Sequence, residues 1–196
     1  MSLVINVRGG TGSGKSTAVR HLLRNAALAE RISDPWAEGR PLGYRATGLV
    51  EYCDIYVVGD YDDEMRTAGG EDVRRRYGTP YVFDLLNELV EHGHVLIEGR
   101  TYNTIITMWR RLHEVIVPRG HELIMATLDT SVNQRVANIR ARRNLRQQAD
   151  RPIELDAVRA EARGIDSMQR TQRRAGLECR VVPWASASDV ILGWLR

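Results

Sequence analysis

Apolar residues in this chain fall into two alternating rhythms. Short unbroken runs occur at Leu3 to Val7, Ile55 to Val58, Val95 to Ile97, Leu123 to Leu128 and Val181 to Val182. Such runs suit strands buried on both faces of a parallel sheet. Between them the apolar positions recur every three or four residues, as helices require. Ala18, Val19, Leu22, Leu23, Ala26 and Ala27 mark the first helix, and Tyr81, Val82, Leu85, Leu86, Leu89 and Val90 the second, closed by Gly93. Further helices run through Ile105, Trp109, Leu112 and Ile116, through Val132, Val136 and Ile139, through Leu155, Val158, Ala162 and Ile165, and through Val190, Ile191 and Trp194.

Strand and helix alternate throughout, so the expected class is α/β, with a mainly parallel sheet covered by helices on both faces. Ser33 to Gly48, with Pro35, Pro41 and several glycines, reads as a connection with little regular structure. With 196 residues, 43% of them hydrophobic, the expectation is a single domain over 1–196 with a small mobile lid at about 135–155. No apolar stretch approaches the roughly 20 residues of a membrane span and no secretory leader is read at the N-terminus, so a cytoplasmic protein without a membrane partner is expected.

Charge and cysteines add little until they are placed. The net charge is +3, and Lys15 is the only lysine among 28 basic residues. An arginine surface permits contact with nucleotide or nucleic acid. Cys53 and Cys179 lack metal-ligand spacing and read as buried thiols, and His92 and His94 as surface histidines.

The chemistry begins after the first strand. Gly9-Gly10-Thr11-Gly12-Ser13-Gly14-Lys15-Ser16 satisfies G-x-x-x-x-G-K-[ST] between a strand and a helix. Glycines let backbone N–H groups wrap an anion, so Gly10, Thr11, Gly12, Ser13 and Gly14 are read as the nucleotide cradle. Lys15 is expected to bridge the β- and γ-phosphates of ATP, Ser16 to ligate Mg²⁺, and Thr17 to approach the α-phosphate. Phosphoryl transfer also needs a carboxylate near the acceptor and cations around the moving phosphoryl group. Glu98, at a strand end, is the candidate metal-water ligand or acceptor-orienting base. Asp72 follows the close-approach pair Gly69-Gly70 and is the second candidate, with a plain helix N-cap as its bland alternative. Arg135 and Arg142 share one helix face, with Arg143 adjacent, and are the expected lid arginines. Trp184 would flank the adenine.

The combination GGTGSGKST, YVVGDY, GGED, VLIEGR, LDTS and QRVANIRARR resembles the bacteriophage P-loop kinases of hypermodified DNA, the 5-hydroxymethyluracil DNA kinases, from about Leu3 to Arg143. The chain departs from that pattern at Asp60 and Ala68. The resemblance implies a three-layer P-loop kinase fold with a five-stranded parallel sheet in the order 2-3-1-4-5. It also implies transfer from ATP, with Mg²⁺, to the hydroxymethyl group of the modified base in duplex DNA, in the host cytoplasm if phage-encoded. Tyr61, Gly69, Gly70 and Asp72 would then contact the acceptor, Glu98 the metal or hydroxyl, and Arg135, Arg142 and Arg143 would form the lid. No protein partner is implied.

Three other functions fit parts of the pattern. A nucleoside or nucleoside-monophosphate kinase would use Arg66 and Arg100 on a substrate phosphate. A polynucleotide 5′-kinase would use Asp62 or Asp63 as base. A nucleotide switch would need a D-x-x-G or N/T-K-x-D segment, and none follows the loop.

Overall fold

The computed structural model of the chain describes residues 1–37, 39–62, 69–99 and 106–196. Seven strands, β1 (Leu3–Arg8), β2 (Leu28–Ile32), β3 (Gly43–Val50), β4 (Cys53–Val58), β5 (His94–Glu98), β6 (Glu122–Asp129) and β7 (Glu178–Pro183), form one sheet in the order β2-β3-β4-β5-β1-β6-β7. The helices are α1 (Lys15–Asn25), α2 (Gly70–Leu89), α3 (Ile106–Ile116), α4 (Val132–Leu145), α5 (Leu155–Arg174) and α6 (Ala187–Leu195).

The expected α/β architecture is present, but the sheet is not the five-stranded parallel one. It is mixed: β4, β5, β1, β6 and β7 run parallel, and β2 and β3 extend the sheet antiparallel beyond β4. β3 starts inside the segment 33–48 expected as a loose connection, and β2 fills 28–32, between that segment and the expected first helix. The first helix stops at Asn25, because Ala26 turns extended and leads into β2. In β3 the inward Tyr44 and Ala46 alternate with the outward Arg45 and Thr47, the half-buried pattern of an antiparallel strand rather than an apolar run. Its register shifts between Ala46 and Val50, and Gly48 has φ 76.

The two sheet faces carry separate cores. Leu3, Ile5 and Val7 of β1 meet Val19 and Leu22 of α1 and Ile191 and Leu195 of α6. On the other face Val4, Val95 and Met125 pack against Leu86 of α2 and Trp109 and Leu112 of α3. A third small cluster, Val136 and Ile139 of α4 with Val158 of α5, joins those two helices to each other. α2 is kinked at Gly78, which has φ 83, two residues before Pro80; Pro80 has no N–H to donate to the preceding turn and its ring crowds that turn's carbonyl, so the helix breaks there. His94 is buried, not on the surface, and its Nδ1 accepts a hydrogen bond from the Leu3 N–H at 3.0 Å. The two cysteines are free and half-buried. Among the described residues no helix is long and apolar enough to cross a membrane.

Parallel pairing brings the carboxyl ends of β4, β5, β1 and β6 to one edge. Val7 pairs with Glu98, Val58 with Ile97 and Arg8 with Thr127. The segments after these positions therefore meet above the sheet, where α/β proteins place their ligands.

Candidate active site

The glycine loop 9–14 links β1 to α1. Gly14, at φ 92, occupies the left-handed region at the helix start, so a side chain there is strained. Three consecutive loop carbonyls are held by side chains from α4 and from the turn between β6 and α4. Arg135 Nε donates to Thr11 O at 3.1 Å, Asn138 Nδ2 to Gly12 O at 2.8 Å, and Thr130 Oγ1 to Ser13 O at 2.9 Å. In a trans peptide unit the N–H opposes the C=O. Anchoring the carbonyls on the α4 side thus turns the following N–H groups away from it, toward the loop interior. Lys15 Nζ folds back to donate to Gly9 O at 2.9 Å and Gly10 O at 3.2 Å. Burial lowers the Lys15 pKa, opposed by the negative charges of Glu98 and Glu161.

Glu98 stands beside this loop, 3% exposed. Its Oε1 accepts the Ser16 hydroxyl at 2.7 Å. Burial raises its pKa, and Lys15, the Ser16 hydrogen bond and Arg20 counter the rise. The approach of the α2 start to Glu98 requires glycine: a Cβ on Gly69, at φ 81, would lie 2.4 Å from Glu98 Oε1. Gly59 is needed in turn, since its Cβ would lie 2.1 Å from the Gly69 carbonyl carbon. Gly69 N donates to Asp60 O at 3.2 Å and closes this junction. Gly70 sits against Ile97.

The expected acceptor residues are brought together in part. Tyr61 is 5% exposed, and its ring packs in the core under α1. Its N–H donates to the Tyr44 hydroxyl at 3.1 Å and its carbonyl accepts from Arg20 Nε at 3.1 Å, while its own buried hydroxyl has no hydrogen-bond partner among the described residues. Burial drives the Tyr61 pKa well up, and the Glu98 charge adds to it. Asp72 is buried and committed to two arginines, Arg40 at 2.5 Å and Arg76 at 3.0 Å. It does not cap α2, whose N-cap is Gly69. Arg100, Arg66, Asp63, Glu64 and Ala68 lie outside the described residues.

The three lid arginines go separate ways. Arg135, 2% exposed, lies on the loop, with its NH2 2.5 Å from Glu161 Oε2. Glu161, on α5, also accepts the Thr11 N–H at 2.8 Å. Arg142 is exposed and lines a cavity of about 300 Å³ between Thr11, Ile139, Val158 and Glu161. Desolvation lowers its pKa, and the neighbouring Arg146 and Arg143 charges lower it further. Arg143 turns to the α4–α5 connection, donating to the carbonyls of Arg151 and Pro152. Trp184 stands beside the loop, its ring 3.7 Å from where a Gly14 Cβ would be. Thr17 is exposed at the start of α1.

Sequence reasoning missed Thr130, Asn138, Arg40 and Glu161. Asn138 was within reach, since it is one helical turn from Arg135 on the same face. Glu161 carries no local signal, because the α4–α5 packing alone brings it to the loop.

Ser16 and Glu98 offer two hard oxygen donors at one point. That suits a Mg²⁺ ion that takes its remaining ligands from phosphate and water. Among the described residues no group of three or more His, Cys, Asp or Glu could hold a metal by itself.

A glycine loop between a parallel strand and a helix, with a lysine folded on it and a buried carboxylate bonded to its serine, places the chain among α/β proteins whose first strand–helix turn carries the G-x-x-x-x-G-K-[ST] pattern. Within that class the chain is a distant, near-full-length homologue of a Pseudomonas phage M6 protein described as a 5-hmdU DNA kinase. The two are 26% identical over 187 residues, which cover 93% of this chain and 92% of the phage protein. The similarity therefore continues past Arg143, where the motif resemblance fades. No protein-family model matches the chain.

Proposed function

We propose that the chain is an ATP-dependent kinase that phosphorylates the hydroxymethyl group of 5-hydroxymethyluracil in DNA. The observation that carries this reading is the Ser16–Glu98 hydrogen bond of 2.7 Å. It joins the phosphate loop to a buried carboxylate at the strand edge where an acceptor hydroxyl would enter. The phage homologue supplies the acceptor class.

ATP would seat its phosphates on the loop N–H groups, and Lys15 would leave the Gly9 and Gly10 carbonyls for the β- and γ-phosphates. Ser16 would hold Mg²⁺, which when bound neutralises charge on the phosphates, and Glu98 would stand beside it across one of the ion's waters. The acceptor oxygen attacks the γ-phosphorus, the bond from that phosphorus to the β–γ bridging oxygen breaks, and ADP leaves. The acceptor proton passes to a carboxylate. Glu98, whose pKa burial raises, is better suited than Asp72, which two arginines occupy. Arg135 and Arg142 would close over the γ-phosphate, with the α4–α5 unit acting as the lid and excluding water. Trp184 beside Gly14 would border the adenine. Tyr61, Gly69 and Gly70 would shape the acceptor side.

Labelled ATP offered to a panel of hydroxymethyluracil DNA, oligonucleotide ends, nucleosides and nucleotides tests the reading. The expected result is label in the modified DNA, abolished by Lys15→Ala. Label in free nucleosides or 5′ ends with none in modified DNA refutes it.

A further inference from the structure

Trp36 is 68% exposed, yet it is firmly held. Its ring lies 5.6 Å from that of Tyr77 and 5.8 Å from that of Tyr81, and the two tyrosines are 4.8 Å apart. Beneath them the fully buried Asp34 side chain accepts the Trp36 N–H at 2.9 Å and the Tyr77 hydroxyl at 2.6 Å, and pairs with Arg76. Arg76 also donates to Pro41 O at 3.0 Å. Burying an ion pair costs desolvation, and this one fixes the Trp36 backbone and the Tyr77 hydroxyl, whose ring the exposed indole leans on. A tryptophan held rigid while exposed is preorganised for something that lands on it.

The chemistry of the surface names the occupant. Flat π-faces with nearby guanidinium groups suit a nucleobase carried on a phosphate backbone. The Arg76 guanidinium lies over the Tyr77 ring, 5.4 Å from its centroid. The cluster is also tied to the candidate active site, because Arg76 bridges Asp34 and Asp72. From Gly70, which packs against Ile97 beside Glu98, α2 advances to Tyr77 by about 10 Å at 1.5 Å per residue. A nucleic-acid strand advances about 3.4 Å per nucleotide, so this distance is about three nucleotides.

We infer that Trp36, Tyr77 and Tyr81 form a stacking platform for an unpaired base of the acceptor strand, about three nucleotides from the phosphorylated position. The inference rests on the DNA-kinase reading and deepens it: the strand is opened around the target rather than read as an intact duplex.

The test compares wild type, Trp36→Ala and Trp36→Phe on hydroxymethyluracil oligonucleotides with long flanks and with a single flanking nucleotide. Loss of a stacked base should raise the KM for long acceptors about 10-fold in Trp36→Ala. Phe restores it, and the KM advantage of long over short acceptors collapses in Trp36→Ala alone. Equal KM values for long DNA in all three proteins overturn the platform and leave the kinase reading standing. If the wild type labels no DNA, the kinase reading fails, and tryptophan quenching by unmodified single strands decides the platform. Quenching absent from Trp36→Phe supports it, and no quenching of wild type overturns it.

Discussion

Arg8 is 0% exposed, and none of its three guanidinium nitrogens has a hydrogen-bond partner among the described residues. Desolvation lowers its pKa to about 10, opposed weakly by Cys179. The fall from the ordinary arginine value corresponds to about 3 kcal/mol, at about 1.4 kcal/mol per pKa unit, by which the charged side chain disfavours folding near neutrality. Arg8→Met keeps an unbranched side chain of fair length and removes the charge. It should therefore stabilise the protein by about 2–3 kcal/mol, or roughly 5–10 °C in Tm for a chain of this size. The sign of the pH dependence follows from the lowered folded-state pKa. Below about pH 10 both states hold the proton and the penalty is complete. Above it the folded state loses the proton first, so the penalty fades as pH climbs toward the unfolded value. Urea denaturation at pH 7.5 and 10.5 should show the advantage of Arg8→Met shrinking by about 1 kcal/mol. Equal or lower stability of Arg8→Met at pH 7.5 would refute the reasoning, because the guanidinium would then have a partner in solution.

Glu98→Gln should lower kcat on order of 10²-fold or more with ATP affinity retained, checked by steady-state kinetics beside nucleotide titration. Because burial raises the Glu98 pKa, the acid limb of kcat/KM should lie above the ordinary glutamate range, activity falling as pH drops through it. Asn138→Ala frees the Gly12 carbonyl, so KM for ATP should rise roughly 5-fold, about the worth of one hydrogen bond, with a smaller change in kcat. Glu161→Ala leaves Arg135, with 3% of its side chain exposed, unpaired, at a cost of about 3–5 kcal/mol. Thermal melts should show that loss without nucleotide and a larger ATP-induced rise in Tm than in wild type.

Legibility followed sequence distance. The glycine loop and its lysine belong to eight adjacent residues between a strand and a helix, so their place could be read directly. Glu98 could be read because an apolar run must end at a sheet edge. β2 and β3 could not, because Leu28–Ile32 is exposed nearly throughout and has no apolar face to read, while Gly43–Val50 alternates apolar with polar residues around two glycines that mimic a loop. The Asp34–Arg76–Asp72–Arg40 chain was hidden for the same reason: half of it lies in the segment taken as a connection. Arg135, Arg142 and Arg143 could be read as neighbours on α4, but which of them reaches the loop depends on Glu161, 26 residues after Arg135. Such pairings are properties of packed helices and leave no spacing to read.

Lys15 has one more consequence. As the sole lysine of the chain, it is the only ε-amine that an acylating reagent can find. Its lowered pKa leaves more of it unprotonated and nucleophilic near neutral pH than an ordinary lysine. Apart from the α-amine at Met1, amine-directed labels, crosslinkers and immobilisation supports therefore all address the phosphate loop. A protein attached through its lysine is a protein with that loop blocked.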